Sequence, residues 1–262
     1  MQKGRRIFGF VFAIKNPPAV IIDGNLIIAD IHLGYTITSY KYSLKAKLKL
    51  LRSELNKILV PILKLDYPIE RVIILGDIKE SLGYPSRIVG RSIGTLLRKI
   101  KERYDKLIVI RGNHDGRLSD IINEVNVDIK IVDSMIFTYE GEDILLTHGH
   151  MKVPMPMLLT ASTIIMGHIH PASPVTGERI WVVAKFVLDL RHISQPYEKA
   201  INAKEIKLII LPHANSFLSG KPVKSRADIY ELLKKTIYWK GSNIDLTFCS
   251  ALDHRGVLVE IL

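Results

Sequence analysis

Cysteine is nearly missing from this sequence. Cys249 stands alone in 262 residues, which excludes an intrachain disulfide and a thiolate metal cluster and suits a reducing compartment. Long apolar runs are missing too, and none approaches the ~18 residues of a membrane span. Lys3, Arg5 and Arg6 precede an apolar stretch at 7–14 in the manner of a secretion signal, but Lys15 cuts it short and no small-residue cleavage site follows. Internal repeats, low-complexity tracts and linkers are also lacking. These absences lead us to expect a cytoplasmic protein without membrane contact, folded as one domain over 1–262.

What is present supports a sizeable core: 47% of residues are hydrophobic and 24% charged, ordinary for a globular chain. The net charge of +11 points to an anionic partner such as a phosphate ester or nucleic acid. A Lys-rich solvated surface explains the same charge equally well.

Taken in order, residues 7–14 read as a first strand ended by Asn16-Pro17-Pro18, and 19–22 and 26–29 as a hairpin around Asp23-Gly24-Asn25. Over 42–64, Leu44, Leu48, Leu51, Leu55, Ile58 and Ile62 fall at helical spacing. Lys45, Lys47, Lys49, Arg52 and Lys57 populate the rest of that helix. Packing on a sheet with a solvated outer face outweighs membrane or nucleic-acid binding for such a helix. A strand at 72–75, a helix at 88–103 and a strand at 107–110 follow, then a short helix at 118–124. Further strands are expected at 129–132, 135–139, 144–146 and 163–166, with a short helix inside 151–160. The remainder alternates strands at 180–183, 186–190 and 206–211 with a helix at 227–236, and ends in a hairpin of 244–248 and 257–261 turning at 253–256.

Five of these strands run straight into polar chemistry: Asp30 and His32, Asp77, Asn113 and His114, His148, then His168 and His170. A lone histidine at a strand end is more often a structural hydrogen-bonder than a ligand. Repetition along one sheet edge, where open α/β sheets place their ligands, changes that balance. Carboxylate, imidazole and amide donors without sulfur suit Mn²⁺, Fe²⁺ or Zn²⁺. They outnumber the ligands of one tetrahedral ion, so two ions about 3.5–4 Å apart sharing a bridging carboxylate are the economical reading.

The series Asp30-x-His32, Gly76-Asp77, Gly112-Asn113-His114-Asp115, His148-Gly149 and Gly167-His168-x-His170 resembles, in order, the signature of the calcineurin-like metallophosphoesterases. Within that superfamily, the stretch 29–35, Gly76-Asp77-Ile78-Lys79, His170-Pro171 and the loop Pro212-His213-Ala214-Asn215-Ser216 resemble the archaeal SbcD-related phosphoesterases. Relatives often carry His where this chain has Glu80. The resemblance implies an α/β fold, a four-layer α/β/β/α sandwich with its motif core at 26–171 and with 172–262 completing it. It further implies one ion on Asp30, His32, Asp77 and His170 and a second on Asp77, Asn113, His148 and His168, with Asp77 bridging. His114 would stay off the ions and meet the scissile phosphate or the leaving oxygen. Mn²⁺ is the first choice, with Fe²⁺, Zn²⁺ or Ni²⁺ as alternatives. The implied reaction is hydrolysis of a phosphodiester (nucleotide, cyclic nucleotide or nucleic acid), because a divalent ion lowers the pKa of its water from ~15.7 to about 7 and an imidazolium can protonate a departing alkoxide.

Other residues carry two readings each. Asp115 either orients His114 or a ligating imidazole, or caps the following helix. His150, two positions after His148, faces the same way at strand alternation and is a candidate for the site. Arg111, Lys79, Arg87 and Lys152 neighbour the motifs and could hold a substrate phosphate, or form surface ion pairs worth roughly 0–1 kcal/mol. His192, His213 and His254 have no partner pattern, so a structural or surface role is expected. The competing function is a catalytically weak scaffold of the same fold that binds a protein partner; such relatives usually lose ligands, and this chain keeps all of them.

Overall fold

In the computed structural model, which describes residues 5–9, 11–15, 17–38, 42–191, 203–240, 242–253 and 258–259, the apolar runs assemble into two seven-stranded sheets and a two-stranded ribbon. They belong to two compact units, Met1–Asp133 with His213–Ser219, and Ser134–Pro212 with Gly220–Leu262. Strands and helices mix in both, so the chain is of the α/β class.

The sheet of the first unit takes its strands in chain order: β1 (Arg5–Ile7), β2 (Val11–Lys15), β3 (Pro18–Ile22), β4 (Asn25–Ala29), β5 (Arg71–Leu75), β6 (Lys106–Ile110) and β7 (Lys130–Val132). Pairing is antiparallel as far as β4 and parallel from β4 to β7. The single strand expected at 7–14 is two strands. Phe8 and Gly9 stand at φ 51° and 90°, and this left-handed pair turns the chain back on itself where the apolar pattern runs on unbroken. The hairpin at Asp23-Gly24 follows the expectation, with φ of 47° and 67° at its two central residues, the left-handed pair that matches the twist of the flanking strands.

Four helices accompany this sheet: α1 (Tyr35–Thr38), α2 (Leu44–Leu63), α3 (Arg87–Arg103) and α4 (Leu118–Val125). Helix α2 carries the chain from β4 to β5, and α3 from β5 to β6, as parallel pairing demands. Helix α2 buries Leu51, Glu54, Ile58, Leu59 and Ile62. Leu44 and Leu48 extend the same spacing but are 66% and 42% exposed, so the helix meets the core later than its pattern begins. Helix α3 buries Ile93, Leu96, Leu97 and Ile100. A Cβ on its Gly94 would stand 2.3 Å from Val125 Cγ1, so glycine there is what lets α4 pack this close.

The second unit contains β8 (Ser134–Tyr139), β9 (Glu142–Thr147), α5 (Met155–Thr160), β10 (Thr163–Met166), β11 (Pro171–Ala172), β12 (Trp181–Asp189), β13 (Ala203–Ile210), β14 (Lys221–Pro222), α6 (Arg226–Thr236), β15 (Asn243–Leu252) and β16 (Leu258–Val259). Its sheet runs β16-β15-β12-β13-β10-β9-β8, with β9, β10 and β13 parallel. The strands expected at 180–183 and 186–190 are one strand, β12, because Ala184 and Lys185 stay paired with β13. A register shift against β15 at Lys185/Phe186 absorbs the irregularity. Strand β15 continues to Leu252, past the expected end at 248. Residues 254–256 of the expected turn, with His192 and His254, lie outside the described residues. Each unit encloses its own apolar core. Among the described residues, no helix is long and apolar enough to cross a membrane.

Candidate metal centre

In the parallel part of the first sheet, Ala29, Leu75 and Ile110 lie side by side in register as the last residues of β4, β5 and β6. Asp30, Asp77 and the Arg111-to-Asp115 loop therefore leave the same edge. The first two of those loops are then stitched together: His32 N–H donates to the Asp77 carbonyl at 2.7 Å and Leu33 N–H to the Ile78 carbonyl at 2.8 Å. Asp30, His32 and Asp77 adopt φ of 56°, 44° and 52°, a left-handed backbone that costs a non-glycine residue on the order of 1 kcal/mol or more and clusters at functional sites.

These turns converge side chains that would otherwise avoid each other. Asp30, His32 and Asp77 are all but buried, and each offers a ligand atom within 4.8 Å of the others'. Two buried carboxylates this close are unfavourable without a cation, so the donor set fits a divalent ion. His32 presents Nε2 to Asp77 Oδ2 at 3.4 Å, while its Nδ1 donates to Glu80 Oε2 at 2.8 Å. Burial alone would lower the His32 pKa, but the hydrogen bond to Glu80 and the charges of Asp30, Asp77 and Glu80 raise it above the usual value. Glu80 thus fixes the tautomer that leaves Nε2 toward Asp77, as a carboxylate behind a ligating imidazole does.

His114 stands edge-on to His32 with ring centroids 4.9 Å apart. Its Nδ1 faces the Glu80 carbonyl; a carbonyl only accepts, so Nδ1 carries the proton and Nε2 is the nitrogen left for chemistry. The backbone N–H of His114 donates to Asp77 Oδ1 at 2.8 Å. Asn113, one residue earlier, is exposed on the same loop. His32, Glu80 and His114 are also close enough to share an ion, but the Nδ1 atoms of both rings already contact Glu80.

Asp115 turns to the backbone. Its Oδ2 accepts the N–H of Asp77 at 2.7 Å and of Gly112 at 2.9 Å, and its Oδ1 that of Ile78 at 2.9 Å. It braces the Asp77 loop, and the N-cap of α4 is Arg117 instead. Gly112 allows this closeness: a Cβ there would lie 2.2 Å from Asp77 Oδ1. Lys79 is fully buried, with its ammonium donating to the carbonyls of Ser81, Leu82 and Gly83. It closes its own loop and does not reach out for a phosphate. Arg111 pairs with Asp133 at 3.4 Å on the surface, and Arg87 is exposed at the start of α3.

Two further residues hold this region without any local sign of it. Glu54, buried within α2, accepts the backbone N–H groups of Gly34 at 3.1 Å and Tyr35 at 3.2 Å and the Thr36 hydroxyl at 2.7 Å. Asn215 donates its amide to Glu54 Oε1 at 2.7 Å and to the His32 carbonyl at 3.2 Å. Burial raises the Glu54 pKa against these hydrogen bonds. The one sequence signal for Glu54 is a charged residue at a core-facing helical position, between Leu51 and Ile58. His213 is buried beside this segment, its Nδ1 donating to the Asn215 carbonyl at 2.8 Å.

In the second unit, β9 ends at Thr147 and β10 at Met166, directly before His148 and Gly167-His168. The Gly167 N–H donates to the His148 carbonyl at 3.1 Å, joining the two ends. The imidazole centroids of His148 and His168 are 5.0 Å apart. His150 joins them at 5.1 Å from His148 and 6.2 Å from His168. His168 and His170 repeat the left-handed backbone, with φ of 74° and 49°. The Lys152 ammonium lies over the Trp239 ring, 5.0 Å from its centroid.

The sequence of residues 25–184 matches the calcineurin-like phosphoesterase superfamily domain, and the chain belongs to that superfamily. Membership brings phosphoester hydrolysis as the class of activity and divalent metals as the usual cofactors. In the fold, the nuclease MPE from Pseudomonas putida is similar at a TM-score of 0.56 and 17% identity, over 98% of this chain and 99% of that one. An archaeal phosphodiesterase matches over 90% of this chain and 96% of its own at 15% identity, with a TM-score of 0.33 that adds nothing to the fold argument. No protein of curated function matches the sequence.

Proposed function

We propose that this protein is a metal-dependent phosphodiesterase of nucleotides or nucleic acid. The observation that carries the reading is the buried trio of Asp30, His32 and Asp77, with ligand atoms mutually within 4.8 Å in a chain of a phosphoesterase superfamily. In this proposal the two units act as one catalytic domain in the cytoplasm and take two divalent ions, Mn²⁺ first. Asp30, His32, Asp77 and His170 hold one, and Asp77, Asn113, His148 and His168 the other. When bound, the ions supply a water activated at neutral pH and positive charge for the phosphoryl oxygens.

The chain's own residues do the rest. Glu80 keeps the His32 Nδ1 proton in place, so the opposite nitrogen stays a donor of its lone pair. Asp115 holds the loop that aims Asp77. As an imidazolium, His114 would give the Nε2 proton to the leaving oxygen and be left neutral with Nδ1–H on the Glu80 carbonyl, the contact that fixes its ring. The diester preference is favoured by the likeness of the motifs to the SbcD-related enzymes and by the charge of +11. The test is elemental analysis of purified protein beside hydrolysis of bis(p-nitrophenyl) phosphate and of p-nitrophenyl phosphate with Mn²⁺. Two equivalents of metal and a preference for the diester are expected. Full metal without turnover of either ester would leave a scaffold.

A further inference from the structure

A hollow of about 400 Å³ opens in the second unit beside His150, His168 and His170, within the roughly 300–1,000 Å³ range of small-molecule sites. Its walls are uneven in chemistry. Ile169, Val223 and Leu232 give it an apolar side, and Lys221 and Lys235 stand on it as exposed cations. Two carboxylates also line it, but both are engaged. Asp228 accepts the backbone N–H groups of Lys224 at 2.9 Å and Ser225 at 3.2 Å at the start of α6. Glu231 pairs with Lys234 at 3.2 Å, a lysine that does not line the hollow. Neither Lys221 nor Lys235 has an ion-pair or hydrogen-bond partner for its ammonium among the described residues. The charged groups left unengaged for a ligand are therefore the two ammoniums.

Lys221 is also held in place. Its backbone N–H donates to the His170 carbonyl at 2.7 Å, and β14 pairs in parallel with β11, which begins directly after His170. A Cβ on Gly220 would come within 2.6 Å of that same carbonyl, so the segment bearing Lys221 lies tight against the one bearing His170. With its backbone anchored to that of a proposed metal ligand, Lys221 carries its ammonium within side-chain reach of a phosphate next along the strand from the one being cut.

We infer that this hollow is a subsite for the nucleoside flanking the scissile bond, with Lys221 and Lys235 receiving the neighbouring, uncut phosphate. The inference rests on the proposed phosphodiesterase reading and narrows its substrates to nucleotides carrying a second phosphate. Calorimetry on the metal-loaded full chain tests it with thymidine dinucleotides joined by an uncharged, non-hydrolysable methylphosphonate, bearing a phosphate at the 5′ end, at the 3′ end or at neither. One phosphorylated probe should bind about tenfold more tightly than the bare one, the scale of a charge-assisted contact. The Lys221→Glu/Lys235→Glu variant should lose that gain, and Lys234→Ala should keep it together with wild-type turnover of bis(p-nitrophenyl) phosphate, which has no second phosphate. Equal binding of all three probes, or a gain that survives the double substitution, would overturn the subsite. If wild-type protein cleaves no diester, the phosphodiesterase reading falls by itself, and the calorimetric comparison still decides the hollow.

Discussion

The two histidine-bearing edges are built on opposite plans. In the first unit carboxylates brace the edge: Glu80 behind His32, Asp115 behind the Asp77 backbone, and Glu54 behind the loop that follows His32. Asp30, His32 and Asp77 are almost without solvent contact. In the second unit His168 and His170 are half-buried, and a main-chain hydrogen bond between Gly167 and His148 ties its strand ends together. The first edge gathers buried donors that could hold a cation. The second presents imidazoles beside an open hollow, which in the proposed function is the side that admits substrate.

That contrast predicts where substitutions act, beginning with the largest effect. Asp77→Ala should strip both ions, or leave at most one weakly held, and reduce turnover by more than the roughly 10²–10³-fold lost with a single stabilising group. Retention of two equivalents with normal activity would refute the dinuclear assignment. His114→Ala should lose roughly 10²–10⁴-fold in rate with its metal content intact. The deficit should shrink as the leaving group becomes more acidic, which two diesters of differing leaving-group pKa will measure. A lost ion would instead make His114 a ligand.

The braced edge is tested more gently by Glu80→Gln. The amide still accepts from His32 but no longer carries charge, and metal affinity should fall about 10–100-fold by competition with a chelator; unchanged affinity would make the Glu80 brace idle. At the small end, Arg111→Ala should change turnover and stability little, since an exposed pair such as Arg111 with Asp133 is worth roughly 0–1 kcal/mol. A tenfold loss would show that Arg111 touches substrate.

What the sequence disclosed, and what it hid, divides along the same physical line. Apolar runs ending in Asp, Asn or His were legible because a strand and its terminal turn are contiguous in the chain. Strands β4, β5, β6, β9 and β10 each stop directly before a marked motif or its leading Arg111 or Gly167. Phe8-Gly9 was hidden because a turn inside an apolar run leaves periodicity undisturbed. The unity of β12 was hidden because Lys185 looks like a break until its neighbours in the sheet are known. Glu54 and Asn215 were beyond local reading altogether: the bond between them joins residues 161 positions apart. Lys79 and Asp115 sit in the motif, yet their roles as braces follow from the direction of a side chain, which spacing does not fix.

The left-handed backbone at His168 and His170 has a consequence for anyone who evolves this protein. Glycine adopts that conformation without penalty, and each half-exposed histidine carries on the order of 1 kcal/mol that glycine would relieve. If both histidines hold metal as proposed, a selection for heat tolerance alone should drift toward glycine at both positions and return a hardier protein without activity. Thermal selection therefore needs a simultaneous screen for turnover, because on the proposed assignment relief of strain at these two positions removes metal ligands.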